Sequence, residues 1–306
     1  MSSENSKQTI SNQQSSTEGL STVADRSFLV MQKKEPIIFS DGFLQEAEEI
    51  KEQILLKQIS FALETSQIIF YLQPVFNTKK LKFISAEALA RWQHPEQGLI
   101  SPDIFIPPFE RHSRIHEIDL YILDAVCSFQ HSLLKEGIRP LPISVNLSQL
   151  DFYDQALSDK ILFIVEKYGV PHFLICFEIT ESTYMDNQKQ LLATLQSLKN
   201  LGFSILLDDF GSGYSSLDIL SKAPIDILKI DKDFIQMIGC SKKGERALQT
   251  IVNLSIDLKI DVIAEGVETK EQSNFLAAIG CTHIQGYFYA KPMPIKAYKE
   301  ILQASR

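Results

Sequence analysis

From residue 66 onward, short apolar runs alternate with helix-like stretches, and nearly every run ends in or carries a charged or amide residue. The runs are IIFYLQPV (68–75), LKFISAEAL (81–89), LPISVNLS (141–148), FLICFEIT (173–180), FSILLDD (203–209), IDILKID (225–231), IDVIAEGVE (260–268) and CTHIQGYF (281–288). Eight strand candidates in this order, most of them separated by amphipathic stretches such as 115–135, 186–201, 243–258 and 269–279, predict an α/β fold, a (β/α)8 TIM-type barrel. One joint breaks the alternation. The residues around Asn77–Lys80 are too few for a crossover helix of about ten. They predict a hairpin, and hence a modified barrel with one antiparallel strand. Between Asp209 and Ile225 there is room only for a small helix near Ser216–Ser221.

Upstream of the barrel, 15 of the first 26 residues are Ser, Thr, Asn or Gln, so residues 1–40 are expected to be a disordered polar tail. From Asp41 to Ser66 the pattern turns helical, with Phe43, Leu44, Ala47, Ile50, Ile54, Leu55 and Ile59 at three- and four-residue steps. This helix is read as a cover for the barrel bottom in preference to a docking site for a partner, because an amphipathic helix buries its apolar face intramolecularly as a rule. Residues 41–306 are accordingly taken as one domain.

Composition narrows the function. Hydrophobic residues at 44% and charged residues at 22% are the balance of a soluble globular protein. A net charge of −8 argues against a nucleic acid polymer or an anionic membrane as partner. An anionic substrate would need metals or a few placed cationic side chains. The four cysteines are scattered and form no CxxC, which fits a reducing compartment. With no secretory leader and no run near the roughly 18 apolar residues of a membrane span, the chain reads as cytoplasmic.

The polar residues on the runs are Glu87, Asn146, Glu178, Asp208 with Asp209, Lys229, Glu265 and Gln285. In a barrel, the carboxyl ends of the strands converge on the face that carries the active site. Carboxylates meeting there repel one another unless cations hold them, and carboxylate and amide oxygens suit Mg²⁺ or Mn²⁺ over Zn²⁺. Two metals beside a lysine form an arrangement for in-line attack of water on a phosphodiester. Any one of these acids alone is more simply a helix cap or an ion-pair partner; their joint occurrence carries the inference. His112 and His116 have the spacing of a zinc pair on one helix face, but no HExxH or third ligand accompanies them.

These residues stand in motifs: Glu87-Ala88-Leu89-Ala90-Arg91-Trp92, Asn146-Leu147-Ser148, Glu178-Ile179-Thr180-Glu181, Asp208-Asp209-Phe210-Gly211-Ser212-Gly213-Tyr214, Lys229-Ile230-Asp231, Glu265-Gly266-Val267-Glu268 and Gln285-Gly286-Tyr287. In this order and spacing, over roughly Leu56 to Leu302, the sequence resembles the EAL-domain phosphodiesterases of bacterial cyclic di-GMP signalling. The resemblance implies a first metal on Glu87, Asn146, Glu178 and Asp208, and a second on Asp208, Asp209 and Glu265. It implies that Lys229 and Gln285, with Glu265 at the metal, serve the attacking water and the phosphate. Glu181 would anchor the Asp208–Ser216 loop. Gln73, Leu89, Arg91, Asp231 and Pro292 would contact substrate. The activity implied is hydrolysis of cyclic di-GMP to linear pGpG with two Mg²⁺ or Mn²⁺ ions; the alternative is an inactive module that binds the dinucleotide or a protein as a receptor. A homodimer is implied by the same resemblance. No GGDEF-type cyclase signature is present and no upstream sensory domain is expected, so regulation is assigned to expression, the tail or a separate protein partner. Leu72, Phe109 and Ser113 depart from the family pattern, Ser113 at a common glycine, and none is an implied metal ligand.

Overall fold

A hairpin closes the barrel. The computed structural model describes residues 41–185, 188–211 and 216–304; the tail 1–40 lies outside the described residues. The chain separates into two units, residues 1–51 and 52–306. Of the first, the described part is the opening of helix α1, Asp41–Glu64. In the second, strands β1 (Ile68–Asn77) and β2 (Lys82–His94) pair antiparallel along their length. Their turn is set by Asn77, whose side-chain oxygen accepts the amides of Lys79 and Lys80 at 3.0 and 2.7 Å. A short β3 (Gly98–Ile100) extends β2.

Parallel strands β4 (Ile143–Asn146), β5 (Ile175–Thr180), β6 (Ser204–Phe210), β7 (Ile227–Ile230), β8 (Asp261–Ala264) and β9 (His283–Ile284) follow β2 in order around the sheet. β9 then pairs antiparallel with β1, so the eight-strand circle is complete and β1 is its one reversed member. A two-residue β10 (Met293–Pro294) also pairs antiparallel with β1, at Tyr71 and Leu72.

Helices cover the outside. They are α2 (Pro102–Arg111), α3 (Ile115–Lys135), α4 (Leu157–Tyr168), α5 (Gln188–Asn200), α6 (Ser216–Lys222), α7 (Lys232–Gln236), α8 (Lys242–Asp257), α9 (Lys270–Ala278) and α10 (Ile295–Ala304). Each long one buries a stripe at helical spacing: Ile115, Ile118, Ile122, Val126, Phe129 and Leu133 in α3; Leu157, Ile161 and Val165 in α4. Their ends carry the expected local chemistry, such as the Thr269–Gln272 capping box of α9 and the left-handed Gly169 that stops α4.

The strands are buried on both faces, which is why they read as continuous apolar runs. Inside the barrel, Val75, Cys176, Leu206 and Ile263 form a separate small cluster with Ile84 and Ile227. Cys176, Leu206, Ile227 and Ile263 lie two residues before Glu178, Asp208, Lys229 and Glu265, and Val75 lies two after Gln73 on the reversed strand. With a side-chain period of two, this apolar layer is the floor beneath a polar layer.

Several expectations need correction. The run 81–89 is longer, because β2 continues through Trp92 to His94, so Glu87 sits mid-strand. The run 281–288 yields only a two-residue strand. α1 does bury Leu56, Ile59 and Ala62 in the core, but not at the barrel bottom. β1 is reversed and begins at the carboxyl ends of its neighbours, so residues 52–64 meet that rim: Arg114, at the start of α3, donates to Ser60 Oγ at 2.9 Å, and Arg111 pairs with Glu52. His112 follows α2 and His116 belongs to α3, so the pair shares no helix face. Ser113 takes φ of 54°, the left-handed conformation that a glycine would adopt freely.

Candidate active site

Lys229 is the hub. It projects from β7 with 1% exposure, a burial that an ammonium tolerates only when paired. Its Nζ lies 2.7 Å from Glu265, 2.8 Å from Glu178, 3.1 Å from Asp208 and 3.2 Å from Glu87. These carboxylates come from β6, β5, β2 and the segment after β8, so strands remote in sequence each contribute one. Gln285, just past β9, donates from Nε2 to Glu87 Oε2 at 2.6 Å and to Gln73 Oε1 at 3.3 Å. The hairpin puts Gln73 directly across from Glu87, which is how a residue of the reversed strand reaches the cluster.

Four acids against one ammonium is an unbalanced site. Burial pushes Glu178 well above the usual carboxylate range, helped by Glu87 and Asp208 and opposed by Lys229. Burial lifts Glu265 to about 8, against the pull of Lys229. Burial raises Asp209, with Asp208 and Asp231 adding to the effect. Lys229 itself is held well above the lysine range: burial acts against its charge, but Asp208, Glu178, Glu265 and Glu87 override it.

One oxygen each from Glu87, Glu178 and Asp208 lie within 4.8 Å of one another, a group that could hold a metal ion. Glu178 Oε1 is buried with no hydrogen-bond partner, the state of a carboxylate oxygen that a cation would satisfy. Oxygen-only donors at this spacing fit a hard divalent ion.

Asp208 and Asp209 sit where the β6–β7 ladder skips between Leu207 and Phe210, and Asp209 has φ of 54°. The Asp209 amide donates to Asp208 Oδ1 at 2.8 Å. Gly211 donates its amide to buried Glu181 Oε2 at 3.2 Å. Asn146 ends β4, paired in register with Glu178 and exposed.

The remaining positions stand farther out. Arg91, on β2, donates to the Ala90 carbonyl at 2.7 Å and lies 5.8 Å from the Tyr71 ring centre. Leu89 and Asn146 line a cavity of about 380 Å³ with Ile106, Asp119 and Thr180. Pro292 precedes Met293, which pairs with Leu72 next to Gln73. Asp231 caps α7, its side chain accepting the Asp233 amide at 2.7 Å.

One buried acid pair escaped the sequence reading. Asp119 and Asp151 both reach the Ser148 amide, at 3.1 and 2.7 Å, two residues past Asn146. Burial, then the neighbouring Asp151, raises Asp119 well above its ordinary range. The signal was an aspartate within the apolar stripe of α3.

Residues 56–292 match the model of the EAL domain. NbdA of Pseudomonas aeruginosa, a cyclic di-GMP phosphodiesterase, is 35% identical over 259 residues, 85% of this chain and 33% of its own. MucR of the same organism, a bifunctional diguanylate cyclase/cyclic di-GMP phosphodiesterase, is 36% identical over 245 residues, 80% of this chain and 36% of its own. The chain thus spans about a third of the length of these curated relatives. The solved PaMucR phosphodiesterase in complex with c-di-GMP superimposes with a TM-score of 0.75 at 36% identity, over 80% of this chain and 99% of that one.

Proposed function

The chain belongs to the EAL-domain family, and from that premise we propose that it hydrolyses cyclic di-GMP to pGpG at the carboxylate cluster around Lys229. The observation that carries the proposal is the convergence of Glu87, Glu178, Asp208 and Glu265 on one buried ammonium, with Gln285 beside it. Glu87, Asn146, Glu178 and Asp208 would hold a first Mg²⁺ or Mn²⁺, and Asp208, Asp209 and Glu265 a second. When bound, these ions supply an acidified water and neutralise charge building on the phosphate.

The chain's own groups do the rest. Lys229 is already held in its charged form and directs that charge at the phosphoryl oxygens. Gln285 presents its amide donor beside Glu87, where it orients the entering water. Glu181 holds the turn at Gly211 and so the approach of Asp208 and Asp209. The cavity flanked by Leu89 and Asn146 has a volume suited to a small ligand, and Gln73, Arg91, Pro292 and Asp231 complete the substrate contacts. A guanidinium fork at Arg91 suits a phosphate or a guanine edge. Further parts of the proposal are a domain spanning residues 41–306 behind a tail of 1–40, a homodimer, a cytoplasmic location and a regulatory protein partner. Among the described residues no helix is long and apolar enough to cross a membrane.

The test is purified protein with cyclic di-GMP, with and without Mn²⁺, beside a Glu87→Ala variant and a binding titration. Metal-dependent pGpG that vanishes in the variant is the expected result. Tight binding without turnover would instead make the domain a receptor for the dinucleotide.

A further inference from the structure

The β1–β2 hairpin stands above the rest of the barrel mouth. The parallel strands that carry the acids and Lys229 stop close to them: β5 at Thr180, β6 at Phe210, β7 at Ile230 and β8 at Ala264. β2 instead continues from Glu87 to His94, and β1 begins at Ile68, well before Gln73. The two remain paired over this stretch, from Gln73 and Glu87 to Ile68 and Trp92, so they form a wall beside the site. Its two faces differ. Ile68, Phe70, Leu72, Ala88 and Trp92 are buried on the outer face, Trp92 against Phe105 of α2. Ile69, Tyr71, Leu89 and Arg91 share the inner face with Gln73 and Glu87 and are half-buried. Tyr71 is at the centre of these four. It lies directly across from Leu89, and the Arg91 guanidinium is 5.8 Å from its ring centre.

We infer that Tyr71 is a further substrate-contact residue, an aromatic platform on which one purine base of the dinucleotide stacks, with the Arg91 fork beside it. The inference rests on the proposed reading of the site as one for cyclic di-GMP. Tyr71 stands two residues outward of Gln73, about 7 Å along the strand, which is one side-chain layer above the acids. A phosphodiester seated at the acids carries its sugar and base outward, and this wall is the side of the mouth that rises to meet them. A purine presents a flat π face, which an aromatic ring takes up by stacking. Leu89 extends the apolar surface next to the ring. Arg91 donates to the Ala90 carbonyl at 2.7 Å, a bond that fixes its planar group next to the ring. Tyr71 belongs to none of the apolar clusters formed among the described residues. Its ring is therefore not spent on the core. A Tyr–Leu cross-strand pair also stabilises a hairpin, so the test must separate that role from stacking.

The experiment uses the full chain with Mn²⁺ and the linear dinucleotide pGpG as probe, in Tyr71→Ile, Tyr71→Phe and Tyr71→Trp. Tyr71→Ile keeps an apolar, strand-favouring side chain opposite Leu89 and removes the aromatic face. Calorimetry gives the affinity for pGpG, steady-state kinetics give KM and kcat for cyclic di-GMP, and the thermal midpoint reports the fold. Tyr71→Ile is expected to bind pGpG about tenfold more weakly, within the range of losses when a base-stacking ring is removed. KM should rise by a similar factor while kcat and the midpoint hold. Tyr71→Phe keeps the face and should bind like the wild type. In Tyr71→Trp, added pGpG should quench indole emission well beyond the response of the wild type, whose one tryptophan, Trp92, is buried. Wild-type affinity in Tyr71→Ile overturns the inference, as does an equal loss in Tyr71→Phe or a lowered midpoint with affinity intact. A wild type that binds pGpG but leaves cyclic di-GMP whole contradicts the proposed function, while the role of Tyr71 is still decided by affinity and emission.

Discussion

Replacing Lys229 by methionine removes a buried cation from among two buried acids, Glu87 and Glu178, and two partly buried ones, Asp208 and Glu265. Lys229 Nζ has carboxylate oxygens at 2.7, 2.8, 3.1 and 3.2 Å and is 1% exposed. Breaking a buried ion pair from one side costs about 3–5 kcal/mol, because the charge left behind is uncompensated. For a domain of this size each kcal/mol moves the midpoint by about 2–4 °C, so metal-free Lys229→Met should melt roughly 6–20 °C below the wild type near pH 8. The sign with pH follows from the acids. Without the ammonium, the folded-state pKa values of Glu178 and Glu265, already raised by burial, rise further above their unfolded values. Their contribution is therefore fully present below the unfolded carboxylate range and lost as pH climbs, so the gap to wild type should be narrow near pH 5 and widen toward pH 8. Mn²⁺ in excess should restore about 3 kcal/mol, as any ligand of the native state does at a hundred times its Kd. Scanning calorimetry from pH 5 to 8, with EDTA and with Mn²⁺, measures all of this. A penalty of the same size at every pH, or none, would refute the reasoning that Lys229 neutralises ionised acids.

Four further outcomes are expected. Glu178→Gln should fold well without metal, since burial already favours the protonated acid, yet lose Mn²⁺ affinity by about a hundredfold, measured by calorimetry. Metal-free wild type should lose stability as pH rises from 7 to 9: Glu265 has its folded pKa raised to about 8 from 4.5, so what it contributes below 4.5 is lost through pH 8, which midpoints at each pH will check. Gly286→Ala should lower the midpoint, because its Cβ would run into the Val267 backbone; overpacking of this kind costs about 1–3 kcal/mol, and turnover should fall as adjacent Gln285 shifts. Ser113→Gly should raise the midpoint by about 1–4 °C, since relief of a left-handed residue outweighs the added chain entropy.

Much of the barrel was legible because its strands are covered on both faces and stand as unbroken apolar runs, and because the short Asn77–Lys80 joint admits only a hairpin. Helix α2 was hidden by Pro107 and Pro108, which lie inside it and break the pattern that marks a helix. The strand ending at Leu89 by sequence runs on to His94, because its hairpin partner β1 supplies a ladder that residue pattern alone does not reveal. The proposed ligand residues were legible as polar residues set on apolar runs. Their common partner was not: Lys229 meets Glu87 across 142 residues, and only closure of the barrel brings them together. The rim position of residues 52–64 follows in the same way from the reversal of β1, since a helix leading into an antiparallel strand arrives at the opposite end of the barrel.

The most direct measurement is hydrolysis of cyclic di-GMP in ¹⁸O-labelled water by the metal-loaded chain, with the product analysed by mass spectrometry. Attack by a metal-activated water predicts pGpG carrying one solvent oxygen on its terminal phosphate, formed with Mg²⁺ or Mn²⁺ and not with EDTA or in Glu87→Ala. Intact dinucleotide under the same metal-loaded conditions would contradict it.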